Sequence, residues 1–387
     1  FDHGIHVESD AGTLSNATIQ NNTISSSTST ASSKGGGIQL IGTGNGATAA
    51  SLTKATISGN TISNFPSGAG IQVSYGNASA SGPGGGAGVP SSANVVTISN
   101  NTLNGGATKF GTSAILFVIG GGNAGSRSQG NLAITNNNAQ NSLGTTIGVG
   151  NNGSADLTGV IDGNVVVANN TVASQGIGGG NGVSTGGSSA TPHLVLSVTN
   201  NTISQTDGNG ILLVGRGTSG LAELGVRNNT VAAPLSGVRP GIRIDSGTTA
   251  STASETVCLD MSGNSSAGSG GSQGIGLRRN QATVQTVFGI EGMAATSTPG
   301  VEAYIDGLNP AGNGTLLLSA TSGFSSCSTT AFAPNGGPVL AQQAAPQAVP
   351  IAQSFEALGG LGVGAHGPHH VPAAPRHVAH EEGGAGA

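Results

Sequence analysis

Three charged side chains near the end of the repeated part of the chain have the types needed to hold an anionic sugar. Arg243 and Asp245 alternate along one predicted strand, and Arg278 follows in the matching strand of the next repeat. Arginine binds carboxylates through paired N–H···O bonds, so Arg243, Asp245 and Arg278 are candidate ligand-binding residues for a uronic acid. The alternative is a cross-strand ion pair on a solvated face.

A second polar group stands at the start of the chain, where His6, Glu8 and Asp10 alternate. These residues are either one edge of a metal or acid–base site or an exposed polar strand. Enzymes that cleave polysaccharides use clustered carboxylates, and the middle of the repeats contains glycine and leucine at the corresponding positions. The sequence therefore predicts no catalytic residue and no cofactor.

Two short sequence motifs, called phrases below, recur along the chain and must position these side chains. One reads apolar-x-apolar-x-Asn-Asn-Thr-apolar, as in Ala17–Ile24, and the other reads Gly-apolar-x-apolar, as in Gly37–Leu40. Alternation of apolar and polar residues predicts strands, and the spacing of the copies is typical of a solenoid. With Ile5 and Val7 pointing inward, His6 and its counterparts in later repeats point outward.

The second asparagine of each Asn-Asn phrase is expected to form a structural column. Asparagine tolerates a left-handed backbone, and stacked amide side chains can bond to one another as a ladder. We expect the left-handed corner and the ladder at the same eight residues, Asn22, Asn60, Asn101, Asn137, Asn170, Asn201, Asn229 and Asn264.

The two phrases resemble the repeats of pectate-lyase-like parallel β-helix proteins over residues 4–279. The resemblance implies an all-β fold, a right-handed parallel β-helix of about eight coils with three strands per coil. The block from Gly274 to Cys327 is similar to the C-terminal end of repeat-rich bacterial cell-surface proteins. This fold carries lyases, hydrolases and inert stalks, so the resemblance implies a fold and no single activity.

Composition narrows the class of protein. The chain has 387 residues, of which 7% are charged and 3% aromatic, and a net charge of −5. There is no basic patch, which argues against nucleic-acid binding, and no apolar run long enough to span a membrane. Few thiols in a Thr/Ser/Asn-rich chain favour export. Cys258 and Cys327 are either a disulfide or two unpaired buried thiols.

Three regions are expected. Residues 1–280 form the β-helix, which begins inside a repeat and is therefore expected to be an N-terminally truncated fragment. Residues 281–330 form a C-terminal cap with a helix at Val301–Leu308 and with Phe288 and Tyr304 buried. Residues 331–387 form an Ala/Pro/Gly/His-rich disordered tail. Weak divalent-metal binding by this tail is the alternative to plain low-complexity sequence, through the histidines His366, His369 and His370.

The favoured function is a non-catalytic stalk, adhesin or passenger segment of a bacterial surface or secreted protein. Its location would be extracellular or at the cell surface, its partners carbohydrates or host cell-surface glycans, and its state monomeric. The alternative is the C-terminal part of a carbohydrate-active enzyme, such as a polysaccharide lyase or hydrolase, whose site lies in missing coils.

Overall fold

The chain folds as an all-parallel β-solenoid, which confirms the fold class predicted from the repeats. The computed structural model describes residues 3–9, 12–26, 35–42, 50–75, 95–120, 129–171, 173–182, 191–216, 220–247, 255–279, 286–294, 297–312, 314–317 and 324–328, all within the compact unit Phe1–Gln342. The predicted tail, with its three candidate histidines, lies outside these residues.

Three long sheets form the sides of the solenoid, and successive repeats contribute neighbouring strands. Sheet one contains Ile5–Ser9, Ile38–Gly42, Ile71–Tyr75, Ile115–Gly120, Ile147–Asn152, Ile177–Gly182, Ile211–Gly215, Ile242–Ser246, Ile275–Arg279 and Thr315–Leu317. Sheet two contains Ala17–Gln20, Ala55–Ser58, Val96–Ser99, Gln129–Thr135, Asp156–Asp162, His193–Thr199, Leu221–Arg227, Thr256–Ser262, Val287–Glu291 and Phe324–Cys327. Sheet three contains Thr23–Ser25, Thr61–Ser63, Thr102–Asn104, Asn138–Gln140, Val165–Val167, Thr202–Ser204, Thr230–Val231 and Ser265–Ser266. A separate pair joins Gly12–Leu14 to Ala50–Leu52.

Identical residues stack along the inside of the tube because the strands pair in register. In sheet one the inward column is isoleucine in nine successive strands, from Ile5 to Ile275. In sheet two, Ile19 begins a comparable column that continues through Ile57. Most of these side chains are inaccessible to solvent. A narrow tube filled by stacked aliphatic residues therefore needs few aromatic residues, which accounts for the composition.

Asparagine side chains form a ladder at the corner between sheets two and three. The Nδ2 of each rung donates to the Oδ1 of the next at 2.9–3.0 Å, and the backbone N–H of each rung donates to that same Oδ1. The ladder contains nine residues, Asn22, Asn60, Asn101, Asn137, Asn164, Asn201, Asn229, Asn264 and Asn309.

The prediction for Asn170 was wrong, because Asn164 occupies that rung. Asn164 donates to Asn201 Oδ1 and accepts from Asn137, both through side-chain amides. Asn170 lies beyond sheet three, where its Nδ2 donates to the carbonyl of Gln175 at 2.8 Å and its Oδ1 accepts from the backbone of Asp207. Its neighbour Asn169 has a φ of 43°, so an Asn-Asn pair marks a second left-handed corner here.

The left-handed corner was also assigned to the wrong member of each pair. The first residue has the positive φ, 56° at Asn21 and 55° at Asn200 for example, while the second residue forms the rung. Glycine replaces the first asparagine at Gly59 and Gly163, with φ of 67° and 66°. Since glycine adopts this conformation without steric cost, the eight rungs from Asn22 to Asn264 share the pattern Asn or Gly followed by Asn, and the last rung, Asn309, follows the helix instead.

A helix at Thr298–Leu308 packs on the last coils and confirms the short helix predicted there. Val301 and Ile305 are fully buried in the apolar core, as is Phe288, whereas Tyr304 is half-buried and donates from its hydroxyl to the carbonyl of Glu291. Among the described residues no helix has the length and apolar character required to cross a bilayer.

Asn309 follows this helix and ends the ladder. Its Oδ1 accepts from Asn264, and its Nδ2 donates to the carbonyl of Ile305 at 2.8 Å. Sheets one and two continue past the helix through Thr315–Leu317 and Phe324–Cys327. The division of the chain at residue 280 stays a prediction.

A disulfide joins Cys258 to Cys327 across the outside of sheet two. Gly289 lies between them, paired with Cys258 on the neighbouring strand. A Cβ on Gly289 would lie 2.8 Å from the sulfur of Cys327. Glycine is therefore required here so that the bridge can pass over the intervening strand.

Candidate functional site

The outer face of sheet one carries the side chains that the sequence singled out. Alternate residues of each strand point outward, which gives two outward columns that begin at His6 and Glu8. The paired strands place Arg243 opposite Leu212, and Asp245 between Val214 and Arg278. This is the register predicted for the candidate residues.

The three candidate ligand-binding residues contact one another. Arg243 Nε donates to Asp245 Oδ1 at 2.9 Å, and Arg278 donates to Asp245 Oδ2 at 2.5 Å. The Asp245 side chain is 2% exposed, while the side chains of Arg243 and Arg278 are 22% and 30% exposed. Both carboxylate oxygens are thus occupied by arginine, and the group has a net charge of about +1 near neutral pH.

This arrangement fits an ion-pair network better than a grip for a sugar acid. The carboxylate of Asp245 is committed to its two partners, so it is not free to act as a base or to bind a metal ion. Two residues expected nearby belong elsewhere: Asp260 pairs with Arg227 on sheet two, and Arg279 is buried with its Nε donating to the carbonyl of Thr286.

Replacing Arg243 by glutamine should lower the free energy of unfolding by about 1 kcal/mol or less, because the pair is partly exposed and Arg278 still neutralises Asp245. Urea denaturation of the two proteins measures this difference. A loss of several kcal/mol would show that Arg243 is essential to the packing of sheet one and would contradict the ion-pair interpretation.

His6 and Glu8 form an exposed polar group at the first strand of sheet one. His6 Nε2 lies 3.1 Å from Glu8 Oε2, and His6 Nδ1 lies 3.2 Å from Gln39 Oε1. Gln39 then donates to Gln72 Oε1 on the third strand. These contacts form a ladder of polar side chains along the surface. Asp10, the third residue of this predicted group, lies outside the described residues.

No set of three or more His, Cys, Asp or Glu side chains with metal-binding geometry occurs in the described part of the chain. Sheet one contains two carboxylates in its described strands, Glu8 and Asp245, on the first and eighth strands. Seven strand spacings of about 4.8 Å place them roughly 34 Å apart. Hydrolysis by a pair of carboxylates requires a separation of about 5–9.5 Å.

Between these charged groups lies an apolar trough of about 580 Å³. Its floor contains three glycines on the fifth and sixth strands, Gly148, Gly150 and Gly178. One wall is Leu116 with Val118 on the fourth strand, and the other is Leu212 with Val214 on the seventh. The walls are three strand spacings apart, or about 14 Å. Glycine and leucine are evident at these positions in the sequence, but their pattern alone does not predict a trough.

A buried carboxylate is the second feature that sequence analysis missed. Glu255 is fully buried at the start of a sheet-two strand, and its Oε1 accepts from Asn181 Nδ2 at 2.8 Å. Asn181 Oδ1 in turn accepts from Asn151 Nδ2 at 2.9 Å. Burial raises the pKa of Glu255 to about 7, although Asn181, Gly220 and His193 oppose the shift. Glu255 therefore keeps its proton up to a pH of about 7.

Glu255 fills space left by a glycine in sheet one. A Cβ on Gly215 would lie 3.2 Å from the Cγ of Glu255. Asn151 and Asn181 occupy the two strands of sheet one that precede Gly215. The three polar side chains thus form a short buried column inside the tube.

No protein-family model, curated protein or solved structure matches this chain.

Proposed function

We propose that the chain is a non-catalytic segment of an extracellular bacterial surface or secreted protein, in which the solenoid acts as a stalk for adhesive or passenger parts. The observation that carries the proposal is the unbroken stack of in-register coils. Each coil adds about 4.8 Å to the length, and ten strands of sheet one span the stack. Such a stack forms a rod roughly 45 Å long.

Hydrogen bonds of two kinds recur from coil to coil and stabilise the rod. Backbone pairing joins each coil to the next, and the ladder adds buried side-chain bonds at one corner. A buried hydrogen-bond network of this kind resists local opening, because opening one coil exposes unsatisfied groups on both neighbours. Rigidity along one axis is the property that a spacer needs.

The outer face of sheet one supports the non-catalytic assignment. Its two carboxylates are too far apart to act together, and one of them is neutralised by two arginines. The trough between them is lined mainly by glycine, leucine and valine, with the neutral polar residues Thr112, Ser113, Thr145 and Gln175, and contains no charged residue. A uronic acid would lose its hydration there without gaining an ionic partner.

The chain should therefore release no product from polysaccharides that contain uronic acids. Lyase activity is followed by the absorbance of unsaturated products, and hydrolase activity by new reducing ends. Small-angle X-ray scattering on the same sample should give a rod-like cross-section. Turnover above a heat-denatured control would favour the carbohydrate-active enzyme instead, and a scattering profile without a rod-like cross-section would contradict the stalk.

A further inference from the structure

The trough on sheet one has the size and chemistry to receive aliphatic side chains from another molecule. A Cβ added to Gly150 would first contact Val118 at 3.6 Å, which is ordinary van der Waals separation. Gly150 also has no positive φ. Packing within the chain therefore does not require glycine at this position, and the space above it is open to a partner.

The chain itself carries a matching surface. Leu116 and Val118 form an aliphatic ridge beside the trough, on the fourth strand of sheet one. A ridge one strand wide fits between walls that are about 14 Å apart. If two copies face each other across a two-fold axis parallel to the strands, the ridge of each enters the trough of the other. A self-complementary contact of this type is the usual basis of a symmetric dimer.

Charge decides the register of this pairing. A two-fold axis midway between ridge and trough runs the two solenoids antiparallel. It sets the first strand of one copy opposite the space between the eighth and ninth strands of the other. Glu8 then lies opposite Asp245 and Arg278 of the second copy, which belong to the same outward column, and Arg243 stands in the neighbouring column. The Glu8 side chain is 47% exposed, and the arginine group has an excess positive charge, so the ends attract.

The alternative register places Leu212 and Val214 in the trough. It sets Arg243 opposite the aliphatic and glycine surface near Leu116 and Gly148, where no carboxylate stands. Arg243 keeps its bond to Asp245 there, but the excess positive charge of the Arg243–Asp245–Arg278 group would lose water without gaining a countercharge, which is unfavourable. The ridge of Leu116 and Val118 is thus favoured as the inserted element.

We infer that two copies of this chain associate antiparallel through sheet one, with the ridge of each in the trough of the other. This departs from the monomer expected from the sequence. Eight facing strands of about 16 Å, spaced about 4.8 Å apart, cover roughly 600 Å² of each copy. The total of about 1,200 Å² is at the lower limit of stable interfaces, so the dimer is expected to be reversible, with micromolar affinity.

Sedimentation of the full chain over a wide concentration range tests this inference. The wild type should change from monomer to dimer with increasing concentration. Gly150→Val should fill the trough, preserve the circular-dichroism spectrum, and raise the dimer dissociation constant by a factor of about ten or more, equivalent to at least 1.4 kcal/mol. A wild type that stays monomeric at every concentration would overturn the inference.

Two matched substitutions locate the interface. Val118→Thr on the ridge should weaken the dimer, whereas Val165→Thr on sheet three, where the valine is 45% exposed, should leave it unchanged. Glu8→Lys should weaken it more at low salt than at high salt, because added salt screens exposed charges. Equal effects of the two valine substitutions, or a dimer that tolerates Gly150→Val, would place the contact elsewhere and contradict the proposal.

Discussion

Replacing Asn201 by glycine should lower the free energy of unfolding by about 5 kcal/mol, since several buried hydrogen-bonding groups lose their partners together at ~1–3 kcal/mol each. Asn201 Oδ1 accepts from both the backbone and the side chain of Asn164. Its Nδ2 donates to the carbonyl of Ile161 and to Asn229 Oδ1. All four contacts are lost in the variant, and the groups they leave behind are inside the tube.

The adjacent residue provides the control. Asn200 has a φ of 55° and a side chain that bonds to Asp162 at the surface. Glycine occupies the same corner position at Gly59, Gly163 and Gly263. Asn200→Gly should therefore cost about 1 kcal/mol or less. Urea denaturation of the two variants measures the contrast, and equal losses would mean that the ladder adds little to stability.

The wild type should lose about 3 kcal/mol of stability as the pH rises from about 4 to about 8, through Glu255 alone. The pKa of this carboxyl is about 7 in the folded chain and 4.5 in the reference state. Between these values the folded state retains a proton that the unfolded state has released. The contribution of Glu255 to the free energy of unfolding is therefore fully present below pH 4.5 and is lost as the pH rises through 7.

Two substitutions at this position separate protonation from packing. Glu255→Gln has no ionisable group and keeps an oxygen that can accept from Asn181, so it should remove this part of the pH dependence. Glu255→Ala loses the hydrogen bond and leaves a cavity, so it should be less stable than Glu255→Gln at both low and high pH. Urea midpoints at about pH 5 and about pH 8 are the measurement. A pH slope that survives in Glu255→Gln would show that another group causes it.

The sequence predicted those parts of the fold that repeat with a fixed register. Alternation around Ile5 and Ile242 was sufficient to assign the inward column of sheet one, and hence the outward position of Arg243 and Asp245. Register follows from the pattern because a shift by one residue would turn every apolar side chain outward. The adjacency of Asp245 and Arg278 followed from the same register.

The error at Asn170 has a physical origin. Asparagine is favoured wherever the backbone is left-handed, and this solenoid has such a turn on each side of sheet three, at Gly163 and at Asn169. The Asn-Asn-Thr motif at residues 169–171 therefore predicted the wrong corner. The residue that forms the rung is Asn164, which follows Gly163 and not an asparagine. The trough was not predicted, because its floor includes the strand Ile177–Gly182, whose glycine-rich sequence matches the Gly-apolar-x-apolar phrase only weakly. The Glu255 column was not predicted, because Asn151, Asn181 and Glu255 lie outside the two phrases.

The ladder also determines how this protein can change its length during evolution. Successive rungs are separated by as few as 27 residues and as many as 45, yet their bonds differ by no more than 0.1 Å. The residues that connect two rungs lie outside the ladder. The spacing between rungs is therefore constant, although the number of connecting residues varies. Gene duplication or unequal recombination that adds or removes a segment from one rung to the next would keep the ladder bonds on both sides of the junction. Selection can thus adjust the reach of the molecule in steps of about 4.8 Å without rebuilding its ends.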